Sequence, residues 1–136
     1  MVEDGIEMKW IDRSIIESPY HVGLCRTKEQ FHRELQRLKV PYGDWPDWLC
    51  GGRAAVHTFI KCKGRDLCAI VCINSDKKAS DPLLIGLLVH EAVHVWQEIC
   101  EELNEQNPSI EFEAYSIQTI AQRLIVAYSK MGSKKT

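Results

Sequence analysis

Two histidines four residues apart, with a glutamate directly after the first, form the segment His90-Glu91-Ala92-Val93-His94 of this chain. On a helix, positions i and i+4 share one face a turn apart, so both imidazoles reach a single Zn²⁺ ion. Glu91 then stands beside them, placed to take a proton from a water held there. Catalytic zinc takes three protein ligands and keeps one position for water, so the pattern points to hydrolysis and calls for a third donor. His21, His32 and His57 all precede the motif. Gln97 and Cys100 stand where one three-histidine arrangement places Gly and His. A carboxylate from the segment after the motif is therefore the expected third ligand.

The elements around the motif support that geometry. Asp81-Pro82 reads as an N-cap followed by proline in the first turn, and Leu83 to Trp96 then runs with Gly86 as its one glycine. This stretch is apolar on nearly every side, which predicts a buried helix in which His90, Glu91 and His94 need a partner such as a metal. Asn107-Pro108 repeats the acceptor-then-proline start, and Ile110, Ala114, Ile117, Ala121, Leu124 and Tyr128 follow at helical spacing. On that second helix Glu111, Tyr115, Gln118 and Gln122 form a polar row, with Glu113 at the opposite edge of the apolar stripe. Helical geometry alone lets either glutamate face the first helix.

From about residue 54 to 128 the sequence resembles the gluzincin branch of the zincin metallopeptidases. There HExxH is followed by a helix carrying Glu, often as ExxA, and Glu111-Phe112-Glu113-Ala114 has that form. It is also similar to small HExxH proteins with an EAY signature encoded by phages and prophages. The resemblance implies a zinc metallopeptidase in which His90, His94 and Glu111 hold Zn²⁺, Glu91 is the general base, and a peptide or protein is the substrate. Tyr115 stands where that family commonly has Asp. A phenol there suits either donation to a developing oxyanion or support of a ligand. Two other readings of the motif are a zinc-stabilised module that captures a host or partner protein without catalysis, and a closed structural zinc site completed by a cysteine.

Composition bounds the remainder. With 136 residues, 45% of them hydrophobic, and no linker or repeat, the chain suits one domain with a core over about residues 27–128 and a polar tail over 129–136. A formal charge of −2 and no basic stripe argue against nucleic acid as a partner. The longest apolar run falls short of the ~20 residues a membrane span requires. The acidic start, Met1 to Gly5, is unlike a signal peptide, so a cytoplasmic location and reduced cysteines are expected. Of the six cysteines, Cys62, Cys68 and Cys72 read as buried thiols acting as small hydrophobes in preference to a separate structural zinc site.

The expected fold is α+β, a small zincin-like domain. Thr27 and Gln30 read as a capping box that opens an N-terminal helix through Phe31, Leu35 and Leu38. Pro41 to Gly52 reads as a loop whose Trp45 and Trp48 pack down, with a substrate groove as the other use for them. Ala54–Cys62 and Leu67–Asn74 read as an antiparallel hairpin turning at Lys63–Asp66. Arg53 and His57 are candidates for substrate or oxyanion contact, or for ordinary surface and cross-strand roles.

Overall fold

A computed structural model describes residues 18–60 and 67–132. The elements run β1 (Tyr20–Cys25), α1 (Lys28–Arg37), β2 (Ala54–Ile60), β3 (Leu67–Ile73), α2 (Pro82–Leu103) and α3 (Ile110–Gly132). The α+β class is as expected. The hairpin forms as read, with β2 antiparallel to β3 in a register that sets Val56 opposite Val71. Its expected turn and Cys62 lie outside the described residues.

The sequence reading did not anticipate β1. It pairs in parallel with β3, Tyr20 against Leu67 through Cys25 against Cys72, so the strand order is β1-β3-β2 and both outer strands are edges. The core therefore begins at β1 and not near residue 27. In β1 the residues Val22 and Gly23 are exposed, so the strand lacks the alternation that marks a half-buried strand in sequence.

As the middle strand, β3 is buried from Cys68 to Ile73. Alternation sends its side chains to two cores. Val71 and Ile73 meet Leu84, Leu88, Ala92 and Val95 of α2 and Leu124 and Tyr128 of α3. Cys68, Ile70 and Cys72 meet Phe31 and Leu35 of α1, closed over by Trp45, Trp48 and Phe59. The sheet is thus a middle layer between α1 and the α2–α3 pair. Both tryptophans pack down as core. Cys25, Cys68 and Cys72 are buried free thiols, the last two small hydrophobes as expected.

Capping sets the helix limits. Thr27 accepts from the Gln30 N–H at 3.0 Å, while the Gln30 side chain reaches back to the Arg26 N–H at 2.7 Å, one residue before the cap. Asp81 accepts from the Leu83 N–H at 2.8 Å, as its place before Pro82 implies. α2 ends at Asn104, which takes the left-handed conformation (φ 59°) and lets the Glu105 N–H return to the Cys100 carbonyl. The start of α3 corrects the sequence reading. Its cap is Ser109, whose hydroxyl accepts from the Phe112 N–H at 3.2 Å, two residues beyond Asn107. The helix also continues to Gly132, so residues 129–132 are helical where a tail was expected.

One polar cluster ties the far end of α3 to the rest. The Tyr128 hydroxyl, on a ring 1% exposed, donates to the Lys77 carbonyl at 2.6 Å and lies 3.2 Å from that of Ser75. The Arg26 guanidinium sits 3.8 Å over the same ring and donates to its oxygen at 2.9 Å. Removing that oxygen leaves a shielded carbonyl and an arginine N–H short of a partner. Tyr128→Phe is expected to cost about 1–3 kcal/mol in denaturant unfolding. A change under half a kcal/mol would show that water replaces the hydroxyl.

Candidate functional site

The face α2 turns to the sheet decides where its chemical residues point. Leu84, Leu88, Ala92, Val95 and Ile99 form the buried arc, bounded at one edge by Glu91 and at the other by Trp96. Trp96 faces α3. Its ring meets Phe112 edge-on at 5.6 Å, and its indole N–H donates to Glu113 Oε2 at 2.8 Å. Glu91 consequently lies on the flank of α2 turned away from α3.

His90 and His94 stand opposite the buried arc and are exposed, with ring centroids 4.8 Å apart. This corrects the expectation that they are buried. The apolar run predicts a helix covered on all sides, yet among the described residues only the sheet and α3 cover α2, and Leu83 is 72% exposed on the outer side. Burial is therefore not the reason the histidines would need a metal.

Their fitness to bind one rests on a different contact. Gln97, one turn along, presents its side-chain oxygen 3.0 Å from His94 Nδ1. In the tautomer where Nδ1–H donates to that oxygen, Nε2 keeps its lone pair for a ligand. Sequence reading treated Gln97 only as the absence of glycine. The i+3 spacing from His94 was the available signal for this role.

Glu91 is 4% exposed as a residue, and no fully buried side-chain oxygen or nitrogen among the described residues lacks a hydrogen-bond partner, so its carboxylate keeps some contact with solvent. Burial pushes its pKa above the usual carboxylate range, against the opposing pull of His90 and then His94. A carboxylate that is costly to keep ionised is a stronger proton acceptor than one in water.

His90, Glu91 and His94 are thus brought together, whereas the remaining candidates are not. Glu111 and Tyr115 are exposed, Tyr115 at 65%. Glu111 comes two helical positions before Glu113 and so points nearly opposite to the side that meets Trp96. Glu113 is the glutamate that reaches α2. Among the described residues no three His, Cys, Asp or Glu side chains gather closely enough to hold a metal ion.

His57 belongs to the other face of the sheet. Its ring stacks on Phe31 at 4.9 Å and Nε2 lies 3.0 Å from the Trp48 carbonyl, a core role that replaces the proposed substrate contact. Arg53 is exposed, and its carbonyl accepts from the Asn74 N–H at 2.9 Å to extend the β2–β3 ladder.

Comparison with protein-family models, curated proteins and solved structures finds no match to this chain.

Three substitutions probe this geometry without any metal. Gly86 lies one turn before His90 on the same face, and a Cβ there would meet nothing within 4 Å. Gly86→Ala is expected to stabilise the fold by about 0.5–1 kcal/mol through helix propensity, and destabilisation would reveal a contact at that face. Glu113→Ala, which leaves the shielded indole N–H unpaired, is expected to cost about 1.5–3 kcal/mol. Glu111→Ala should stay within about 0.5 kcal/mol. Equal losses would refute the assignment of Glu113 to the helix interface.

Proposed function

We propose that this protein is a zinc-dependent hydrolase, in the first place a metallopeptidase, with His90 and His94 as two metal ligands and Glu91 as general base. The observation that carries the reading is the His94–Gln97 contact. It orients one imidazole beside a second imidazole and a largely buried carboxylate.

The donor set fits zinc in part. Two imidazoles at i, i+4 suit it, while the third donor does not stand with them. Glu111, which the gluzincin resemblance implies, points away from α2, and Glu113 points toward α2 but is engaged by Trp96. Zinc bound there would polarise a carbonyl and make its water more acidic. Glu91 takes the proton of the attacking water and returns it to the leaving amine, which its desolvated carboxylate favours. Tyr115, exposed on the first turns of α3, is assigned the lesser part of an oxyanion donor. The setting proposed is the cytoplasm.

A second reading is a zinc-binding module that captures a partner without catalysis. It is favoured by the place of the histidines on an open helix face beside exposed Leu83 and Val89, not in a cleft.

Elemental analysis of protein kept from chelators is expected to find one zinc per chain, lost in His90→Ala and His94→Ala. Glu91→Gln should keep the metal while peptide release from a cell lysate falls about 10²–10⁴-fold. Metal without any hydrolysis in the wild type would favour the binding module, and no metal would remove both readings. Zinc affinity on Glu111→Ala and Glu113→Ala decides the third ligand. The gluzincin resemblance implies the larger loss at Glu111, and the reverse order would transfer the role to Glu113. Equal small losses would follow if neither glutamate, as placed away from the histidines, holds the metal.

A further inference from the structure

The described residues expose nine large hydrophobic side chains, and seven of them lie on α2 and α3. Three flank the joint between the two helices: Leu103 ends α2 at 49% exposure, Ile110 begins α3 at 84%, and Phe112, edge-on to Trp96, is 36% exposed. The connection between them is six residues long and capped at both ends. Asn104 closes α2 in the left-handed conformation, and Ser109 caps α3. Together they give this end of the hairpin an apolar character, and apolar side chains rimmed by polar ones are what an interaction surface presents.

The charge around it identifies what would cover it. No lysine or arginine occurs from Ala79 to Gln122, so all 17 basic residues lie elsewhere, while six glutamates fall between Glu98 and Glu113. Glu101, Glu102 and Glu105 are exposed next to Leu103. Their field reaches Tyr20, whose phenol is pushed up first by burial and then by Glu102, Glu98 and Glu101. The carbonyl end of α2 adds partial negative charge at the same place.

We infer that this end of the α2–α3 hairpin docks a basic amphipathic segment of a partner protein, its apolar residues on Leu103, Ile110 and Phe112 and its lysines or arginines on Glu101, Glu102 and Glu105. The inference does not depend on metal or catalysis. An anionic membrane is disfavoured by the same glutamates, and a second copy of this end would set like charges together.

The probe is a helical leucine–lysine peptide, titrated against the whole chain by calorimetry, with a leucine–glutamate peptide of equal length as control. One leucine–lysine peptide should bind per chain, more weakly as salt rises, and the control should not bind. Glu101→Lys/Glu105→Lys is expected to weaken binding about tenfold or more, and Leu103→Ser/Ile110→Ser comparably. All four positions are exposed, and unchanged thermal unfolding confirms that the variants fold. Equal binding of the peptide to wild type and both variants would overturn the proposal, as would sensitivity to the charges alone. Association with anionic vesicles, or a dimer in solution, that Leu103→Ser/Ile110→Ser abolishes would also overturn it, in favour of a membrane or a second copy.

Discussion

The rotation of α2 about its own axis is the constraint on which the site depends. Once Leu84, Leu88, Val95 and Ile99 are committed to the sheet, a period of 3.6 leaves no freedom for the residues between them. His90 and His94 must face outward, and Glu91 must sit at the edge of the buried arc. Burying four aliphatic side chains at about 1.5–3 kcal/mol each far outweighs any preference of the histidines, so the core chooses the phase and the site inherits it. The histidines in turn sit on a rigid scaffold, which supplies the orientation that two-point binding of a metal requires.

The opposite edge of the same arc fixes α3. Trp96 is too large to be hidden by the sheet alone, and its indole N–H needs an acceptor when shielded. Glu113 supplies that acceptor and Phe112 covers the ring. This contact draws Glu113 toward α2 and sends Glu111 away from it. One glutamate thus serves as a structural partner, and the fate of the other follows from helical geometry. The Tyr128 cluster with Arg26, Ser75 and Lys77 holds the far end of the helix, so α3 is pinned at both ends.

Much of this was legible in sequence because it rests on local physics. An acceptor before proline marks the start of α2, and Thr27 with Gln30 marks that of α1. The β-branched runs of β2 and β3 mark a hairpin, and histidines four apart share a face in any helix. Each of these depends on residues within a few positions of one another. Where a local signal pointed to the wrong place, a competing local one explains it: Ser109 outdid Asn107 as a cap because Pro108 lies outside the helix proper.

What the sequence did not disclose is what depends on partners far along the chain. β1 is a strand because β3 offers it an edge, not because its own residues alternate. His57 is a core residue because Phe31 arrives from α1. An apolar helix reads as buried in sequence, but among the described residues no third layer lies over the outer face of α2, so its histidines lie open. Local signals in the chain mark α1, α2, α3, β2 and β3, though not β1, and set His90, Glu91 and His94 side by side. Only the tertiary structure decided which way each element faces, because a helix's rotation is set by the packing of whole layers, and no local spacing encodes the number of layers.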